Sequence, residues 1–364
     1  MSDKRKIEIL DTTIRDGEQM HNVSYMTAEK ALLTQLLIEK VNVDRVEITS
    51  ARSSYGEAIT AAKILEWAGG GSFLDRIEIL GFIDHKKSVD WVSDLGGKVI
   101  NFLAKGSLNH VTKQLRKTAE EHLSDIRRVV EYATTKGLTV NVYLEDWSNG
   151  FRHSKDYVLF LFDGLAPYPI KRFMLCDTLG ILFPTEMELF VREIKTRYPP
   201  MKIDLHCHND YGLATANCLY GVLGGADGLH LTVNGMGERA GNAALEEVVV
   251  GLNDFVEGIQ CGVNEKELYD VAKKVELFSK QRTAVNKPIV GDNAFTHTSG
   301  IHADGQAKGD VYTAKISPTR FGREVNYTLS KLSGKASLEY NLNKLGMELT
   351  EEEKGKVLAR IIQM

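Results

Sequence analysis

The chain has 364 residues, of which 43% are hydrophobic and 26% are charged, a balance typical of a soluble globular protein with a large core. A formal net charge of -4 offers no basic field for nucleic acid, so we expect no nucleic-acid partner. The sequence lacks both the long apolar stretch of a membrane span and an apolar signal peptide, and its four cysteines lack CxxC spacing, so we expect a cytoplasmic protein with reduced thiols.

Short apolar runs alternate with helix-length amphipathic stretches, which indicates a parallel sheet built from βαβ units. The predicted strands begin at residues 7, 43, 77, 98, 138, 172, 202 and 228. The predicted helices between them span 27–40, 55–67, 119–136, 155–165, 185–197, 213–223 and 243–257. Eight such units in about 250 residues predict an α/β fold, the (β/α)8 TIM barrel. The alternative is an open doubly wound sheet, but no GxGxxG motif follows the first strand.

The alternation of short apolar runs with helix-length amphipathic stretches ends at about residue 275. We therefore predict a catalytic barrel domain over residues 1–275 and a small, irregular or helical C-terminal linker region over 276–364. Helical segments are expected at 336–345 and 350–363. The linker region is too short and loop-rich to bury a core alone, so we expect it to pack on a barrel, its own or that of a partner subunit.

Unusual polar residues follow five of the predicted strands. In a barrel of this kind the chemistry takes place at the carboxyl ends of the strands. Strand 1 is followed by DTTIRDGEQ, strand 5 by YLED, strand 6 by CDTLG, strand 7 by HCHND and strand 8 by NGMGERAGN. Packing alone does not explain this distribution, so the sequence predicts a metal-centred site at this end of the barrel.

Four residues could bind the metal ion. His206 and His208 are residues i and i+2 at a strand end, where both point to the same side. With Asp16 they offer a carboxylate oxygen and two imidazole nitrogens, and Asn242 offers a possible amide oxygen. This set suits Mg²⁺, Mn²⁺ or Zn²⁺ as a Lewis acid with open positions. The alternatives are that Asp16 pairs with Arg15 or a backbone amide, and that His206 is a hydrogen-bonded residue of the barrel mouth.

Three longer motifs resemble signatures of the DRE-TIM metallolyase superfamily: LDTTIRDGEQ at 10–19, HCHNDYGLATAN at 206–217 and NGMGERAGNAALEEVV at 234–249. They resemble in particular its Claisen-condensing branch of isopropylmalate, citramalate and homocitrate synthases. VYLEDWSNGFR, KGSLNH, and SGIHADG with RFGR are similar to the citramalate and isopropylmalate synthases. The likeness covers nearly the whole chain. We expect the separate C-terminal domain through which many relatives sense leucine or isoleucine to be missing.

The resemblance implies an acyltransferase that condenses acetyl-CoA with a metal-bound 2-oxo acid and hydrolyses the thioester, releasing a 2-alkylmalate. It further implies that Arg15 stabilises the ketone oxygen as this becomes an alkoxide. Glu145 would handle a proton or orient the substrate. Thr178 would bind the carboxylate of the 2-oxo acid.

The same resemblance implies a homodimer. His302 in SGIHADG and Tyr312 in GDVYTAK are similar to residues that, in the family, reach the active site from the linker region of the partner subunit. They are therefore the candidates for enolising acetyl-CoA, and an isolated subunit would be inactive. The alternative for His302 is a histidine in a surface loop.

Selectivity for the 2-oxo acid is implied, again by resemblance, at Leu80, Leu103 and Tyr143, each of which could equally be barrel core. Three large side chains leave a small pocket, which favours pyruvate, and hence (R)-citramalate, over 2-oxoisovalerate, and hence 2-isopropylmalate. None of the three is basic, which argues against a second substrate carboxylate and so against homocitrate.

Two other classes of protein are the alternatives. An acyl-CoA lyase of the same superfamily would carry a catalytic cysteine in the glycine-rich loop after strand 8, and GMGERAGN has none. A non-catalytic binding protein would not need the complete set of polar residues. The chain departs from the family pattern at residues 20–22, after GEQ, and at Cys176, where proline is common. Neither departure alters a proposed metal ligand.

Overall fold

The computed structural model describes residues 4–297, 315–331 and 333–363. The chain divides into two compact units. The first comprises Met1–Asn264 and Asp270–Arg282, and the second comprises Glu265–Tyr269 and Thr283–Met364. Within the described ranges, no helix is both long enough and apolar enough to cross a membrane.

The first unit is built around a closed barrel of parallel strands. Its strands are β1 (Arg5–Asp11), β2 (Arg45–Ser50), β3 (Ile77–Phe82), β4 (Val99–Lys105), β5 (Thr139–Glu145), β6 (Ile170–Asp177), β7 (Ile203–Cys207) and β8 (Gly228–Leu231). They are hydrogen-bonded in chain order, and pairing of β1 with both β8 and β2 closes the ring. The predicted (β/α)8 barrel is confirmed. A further strand, β9 (Ile259–Cys261), pairs with the start of β1 and was not predicted.

The helices of this unit follow the strands in alternation. They are α1 (Thr27–Leu36), α2 (Tyr55–Gly70), α3 (Lys87–Asp94), α4 (Ala119–Thr135), α5 (Trp147–His153), α6 (Lys155–Leu165), α7 (Pro184–Arg197), α8 (Ala214–Gly224), α9 (Leu245–Phe255) and α10 (Leu268–Ser279). The seven predicted helices are confirmed. Helices α3, α5 and α10 were not predicted. Helices α3 and α5 have only 8 and 7 residues, too few to show a clear helical period, whereas α10 has 12.

Local signals in the sequence explain where several helices begin. Helix α4 follows a capping box, in which the Thr118 hydroxyl accepts from the Glu121 N–H at 3.1 Å and the Glu121 carboxylate accepts from the Thr118 N–H at 2.8 Å. The Ser54 side chain caps α2 by accepting from the Glu57 N–H at 3.1 Å. Helix α7 has Pro184 at its first position, where no N–H donor is needed.

The barrel interior contains charged residues, although branched apolar side chains usually fill this fold. Near the amino-terminal ends of the strands, Asp204 accepts from Arg45 at 2.5 Å and from Arg172 at 3.0 Å, and Arg45 also pairs with Glu78 at 2.9 Å. All four residues are buried. Because each charge has an opposite partner, the cost of removing it from water is offset.

The second unit contains short strands β10 (Thr296–His297) and β11 (Asn326–Tyr327), followed by α11 (Lys335–Leu345) and α12 (Glu351–Gln363). Its two helices coincide closely with the helical segments expected at 336–345 and 350–363. The Tyr327 and Tyr340 rings pack edge to face with centroids 4.7 Å apart. The Tyr340 hydroxyl donates to the Val325 carbonyl at 2.7 Å, which ties α11 to the strand region.

Candidate active site at the mouth of the barrel

The loop after β1 carries Arg15 and Asp16 to the carboxyl ends of the strands. Its turn is held by the Asp16 N–H, which donates to the Thr12 carbonyl at 2.8 Å, and by Asp11, whose carboxylate accepts from the Thr13 N–H at 2.9 Å. A 3₁₀ turn over Gly17–Gln19 follows directly. The chain therefore turns back directly after β1, which keeps the Arg15 and Asp16 side chains over the barrel.

His206 and His208 converge with Asp16 on one point. The three residues are buried, and each offers a ligand atom within 4.8 Å of the other two. The His206 Nε2 lies 3.0 Å from Asp16 Oδ2, and the two imidazole centroids are 5.0 Å apart. His208 lies beyond the end of β7, where a β-bridge to Asn242 holds its backbone. The two histidines thus reach the same side, as the i, i+2 spacing predicts.

The polar atoms around this point fit a divalent metal ion. Nδ1 of His206, Nδ1 of His208 and Oδ1 of Asn242 are buried and have no hydrogen-bond partner among the described residues. Burial lowers the pKa of His208 to about 4, so its imidazole is neutral at pH 7. Although burial opposes it, Arg15 and His206 lower the pKa of Asp16, which is therefore ionised. Neutral imidazoles and an ionised carboxylate are the forms that bind metals.

Asn242 lies beside Asp16, with its amide nitrogen 3.3 Å from Asp16 Oδ2 and 3.0 Å from the Met236 carbonyl. Arg15 is close to Asp16 as well, but the Nη1–Oδ2 distance is 3.7 Å, longer than a direct hydrogen bond. The expected alternative, in which Asp16 serves mainly to pair with Arg15, therefore has little support from the distances. The nearer partner of Arg15 is Glu47, whose Oε2 lies 2.5 Å from Arg15 Nη2.

Glu47 fixes the Arg15 guanidinium at the edge of the site. Arg15 Nε donates to Glu47 Oε2 at 2.6 Å, and its Nη2 lies 2.5 Å from the same oxygen. The Asn101 amide donates to the other Glu47 oxygen at 2.8 Å. Although burial opposes it, Arg15 lowers the pKa of Glu47. The guanidinium is thus a fixed cation, the kind of group that best stabilises charge developing on a substrate oxygen.

Glu145 and Thr178 follow neighbouring strands of the same face. Glu145, at the end of β5, is in register with Lys105 at the end of β4, and the two form an ion pair. The Thr178 hydroxyl accepts a hydrogen bond from the Asp146 N–H at 2.8 Å. That bond does not use the hydroxyl hydrogen, so Thr178 retains a donor suited to a carboxylate.

A cavity of about 190 Å³ joins these groups at the barrel mouth. Its walls are formed by Arg15, Asp16, Gln19, Ser50, Leu80, Phe82, Leu103, Tyr143, Glu145, Cys176, Thr178, His206 and His208. Leu80, Leu103 and Tyr143 also belong to one packed cluster with Leu10, Met174 and Cys176. These three residues are therefore both part of the barrel core and part of the cavity wall.

Tyr143 is held at its hydroxyl group by residues behind the pocket. The oxygen lies 3.3 Å from Arg15 Nη2, 3.2 Å from Glu47 Oε2 and 3.0 Å from His230 Nδ1. Burial raises the pKa of Tyr143 and lowers that of His230, so both side chains are neutral. Because Glu47 and His230 do not line the cavity, they fix its wall from behind.

The sequence analysis missed several residues of this region. Gln19, Ser50, Phe82 and Cys176 line the cavity, and Lys105 pairs with a lining residue. For the strand residues Ser50 and Lys105 a partial signal existed, because polar side chains that alternate along a buried strand can face the barrel interior, but this pattern does not identify their partners. His302 and Tyr312, the candidates for enolisation, lie outside the described residues.

Family comparisons agree with this architecture. The HMGL-like family matches residues 6–275, and the family described as homocitrate synthase post-HMGL domain-like matches residues 289–364. The (R)-citramalate synthase of Methanocaldococcus jannaschii is 35% identical over 98% of this chain and 70% of its own length. The 2-isopropylmalate synthase of Sulfurisphaera tokodaii is 34% identical over 98% of this chain and 90% of its own length.

Solved structures support the fold. The HMG-CoA lyase of Bacillus subtilis superposes with a TM-score of 0.65 and 22% identity, covering 78% of this chain and 97% of the lyase. At that level of identity the similarity shows the fold alone.

Proposed function

Because the chain belongs to the HMGL-like family, and within it to the group of citramalate and 2-isopropylmalate synthases, we propose that it is an acetyl-CoA-dependent 2-alkylmalate synthase. It condenses acetyl-CoA with a short 2-oxo acid and hydrolyses the thioester of the product. The observation that carries this proposal is one small cavity lined by Asp16, His206, His208, Arg15 and Thr178.

Asp16, His206 and His208 would hold the divalent ion, with Asn242 beside them. When bound, the ion supplies Lewis acidity to the ketone of the 2-oxo acid. Its identity as Mg²⁺, Mn²⁺ or Zn²⁺ is left open by a donor set of oxygen and nitrogen.

The neighbouring side chains bind and polarise the substrate. Arg15, fixed by Glu47, donates to the ketone oxygen and stabilises the negative charge that grows there as the new carbon–carbon bond forms. The Thr178 hydroxyl donates to the substrate carboxylate. Glu145, fixed by Lys105, orients the substrate or accepts a proton at the cavity edge. His302 and Tyr312 are retained as the candidates for removing the methyl proton of acetyl-CoA.

We further propose pyruvate as the preferred 2-oxo acid, which makes the product (R)-citramalate. Leu80, Leu103, Tyr143 and the additional Phe82 narrow the apolar side of a cavity of about 190 Å³. A fixed wall rejects a bulkier alkyl group by steric clash, whereas a roomy pocket discriminates against a missing methylene by only about 1–3 kcal/mol. The second candidate is 2-oxoisovalerate, because a 2-isopropylmalate synthase is nearly as similar to this chain as a citramalate synthase.

A lyase activity is disfavoured by the position of the nearest thiol. Cys176 lines the cavity, but it lies on β6, and burial raises the pKa of its thiol well above the usual range. A thiol of that kind is a poor acid or nucleophile at neutral pH. The loop after β8 contains no cysteine.

A thiol-release assay tests the proposal. Metal-loaded enzyme is supplied with acetyl-CoA alone, with pyruvate, or with 2-oxoisovalerate, and free CoA is measured. CoA release that requires a 2-oxo acid supports the synthase, and a larger kcat/KM for pyruvate supports citramalate as the product. Release of CoA from acetyl-CoA at the same rate without any 2-oxo acid would contradict the synthase.

A further inference from the structure

His230 occupies a distinctive position behind the alkyl side of the cavity. It lies on β8, is fully buried, and does not line the cavity. Its ring packs edge to face against Tyr143, with centroids 5.2 Å apart. Its two nitrogens face different partners: Nδ1 lies 3.0 Å from the Tyr143 hydroxyl, and Nε2 lies 3.3 Å from Asp204 Oδ2.

The surroundings of Asp204 determine the direction of these hydrogen bonds. The Asp204 carboxylate accepts from Arg45 at 2.5 Å and from Arg172 at 3.0 Å, so it is ionised and acts only as an acceptor. His230 Nε2 must therefore carry the hydrogen that faces Asp204. In a neutral imidazole the other nitrogen is then an acceptor, so His230 Nδ1 at 3.0 Å and Glu47 Oε2 at 3.2 Å share the single hydroxyl hydrogen of Tyr143.

The Tyr143 oxygen in turn accepts from Arg15 Nη2 at 3.3 Å. A hydrogen-bonded network thus runs from Arg15 through Tyr143 and His230 to Asp204, and Glu47 accepts from both Arg15 and Tyr143. Such networks are cooperative, and they fix the position of every member.

This arrangement constrains the wall of the cavity. The Tyr143 ring packs against Leu80, Met174 and Cys176, while another part of it borders the open cavity. A bulky alkyl group in the cavity could displace the Tyr143 ring only if the Tyr143 hydroxyl left His230, Glu47 and Arg15. The hydrogen bond between the Tyr143 hydroxyl and His230 Nδ1 therefore restrains the ring from behind the cavity wall.

We propose that His230 is a positioning residue for size selection: through Nδ1 it holds the Tyr143 ring in place and so excludes 2-oxo acids with branched alkyl groups. This inference rests on the proposed synthase function and deepens it. It also explains why a buried histidine is present in a barrel layer where an apolar residue would avoid the need for polar partners.

Two amide variants separate the roles of the two nitrogens. In His230→Asn the amide lies as many bonds from Cα as Nδ1, so an acceptor for Tyr143 is kept and the bond to Asp204 is lost. In His230→Gln the amide lies as far out as Nε2, so the donor to Asp204 is kept and the acceptor for Tyr143 is lost. The readout is the ratio of kcat/KM for pyruvate to that for 2-oxoisovalerate.

We expect His230→Gln to lower this ratio by about tenfold, the scale of discrimination that an alkyl pocket provides. His230→Asn should keep the ratio within about threefold of wild type, although both kcat/KM values fall. A purely structural role would lower the two kcat/KM values equally and leave the ratio unchanged in both variants. An unchanged ratio in His230→Gln would overturn the inference.

Tyr143→Phe provides the second test, which also covers the case that a His230 variant fails to fold. It removes the hydroxyl and keeps the ring, so it should lower the ratio in the same direction as His230→Gln. A wild-type ratio in Tyr143→Phe overturns the inference. If the wild-type enzyme uses neither 2-oxo acid, the proposed function fails and this inference fails with it, whereas an active wild type with unchanged variant ratios rejects the inference alone.

Discussion

His208 lies past the end of β7, and its backbone is held by a bridge to Asn242 and by its N–H, which donates to the Asp177 carbonyl at the end of β6 at 3.3 Å. Its Nδ1 is buried without a hydrogen-bond partner among the described residues, and its imidazole is neutral. A buried nitrogen without a hydrogen-bond partner is costly in a purely structural histidine, and a neutral imidazole is the form that binds a metal ion.

We expect His208→Ala to bind its metal ion at least about 100-fold more weakly, because even residues that only support a ligand contribute 10- to 100-fold. The measurement is metal content by mass spectrometry after dialysis against a limiting concentration of the ion. His153→Ala, which alters an exposed histidine on α5, is the matched control and should retain the wild-type content. One full equivalent of metal in His208→Ala would remove this residue from the ligand set.

Lys105 is the second residue whose role can be tested alone. It is buried at the end of β4, where its ammonium group pairs with Glu145. Replacing it with methionine keeps most of the side-chain volume but leaves the Glu145 carboxylate free to rotate. We expect kcat to fall by about 10- to 100-fold with a smaller change in KM, the scale of loss for a misplaced proton-handling group.

Steady-state kinetics with saturating 2-oxo acid provide the measurement. Lys117→Met is the control, since Lys117 forms an exposed ion pair with Asp125, and such pairs contribute little. Equal kinetics in the two variants would show that Glu145 does not depend on Lys105.

The candidate metal ligands could be predicted from sequence because their spacing has a direct geometric meaning on a strand. Lys105 and His230 could not, because each acts through a partner that is distant in the chain. Lys105 and Glu145 are 40 residues apart, and His230 and Tyr143 are 87 apart. The first pairing follows from the register of the neighbouring strands β4 and β5, and the second is a contact across the barrel interior between β5 and β8. One sequence specifies neither.

At the scale of whole elements, α4 is joined to the end of β4 by one buried hydrogen bond. The Lys105 N–H donates to His122 Nε2 at 3.1 Å, so His122 must be unprotonated there. Burial lowers the pKa of His122 to about 4, whereas an unfolded histidine has a pKa of about 6.5. Between these values the unfolded state binds more protons than the folded state, so this contribution to stability is complete above pH 6.5 and is lost as the pH falls towards 4.

The contribution lost between pH 7.5 and pH 5 amounts to about 2 kcal/mol in the free energy of unfolding. In His122→Gln the amide oxygen can still accept from the Lys105 N–H but does not titrate. We therefore expect a smaller fall in melting temperature between pH 7.5 and pH 5 for the variant than for the wild type. Other groups titrate in the same range, so the difference between the two proteins is the quantity to measure. Parallel curves would contradict this assignment.

The strands were predicted well because buried parallel strands give continuous apolar runs. The short helix α5 was missed, although it determines how the loop after β5 is packed. A Cβ on Gly150 in this helix would lie 1.9 Å from the Gly106 carbonyl oxygen, so the segments that follow Lys105 and Glu145 approach with no room for a side chain. That close approach depends on tertiary contacts, which sequence periodicity does not report.

At the scale of the molecule, the barrel provides a polar interior that links its two ends. Paired charges near the amino-terminal ends of the strands, around Asp204, connect through His230 and Tyr143 to Arg15 at the cavity. The rigidity of the site is therefore a property of the whole barrel rather than of its loops. The sequence predicts the barrel but not the contacts among these interior charged residues. One sequence does not show which residues of different strands meet inside the barrel.

The last prediction concerns assembly of the active site from two chains. The family resemblance implies that His302 and Tyr312 reach the site of a partner subunit, while Asp16 belongs to the barrel of its own chain. In that case Asp16→Asn and His302→Ala inactivate the enzyme in different places. A mixed dimer then contains one site with both changes and one site with neither.

Mixing the two inactive variants after brief dissociation should therefore restore activity. Random pairing in a two-fold dimer gives about a quarter of the wild-type sites. The measurement is CoA release before and after mixing, with gel filtration to confirm that dimers have formed again. Mixing Asp16→Asn with His208→Ala is the control and should restore nothing, because both changes lie in the same barrel and every site in every dimer keeps one of them. If the first mixture also stays inactive although dimers have exchanged, His302 acts within its own subunit or not at all.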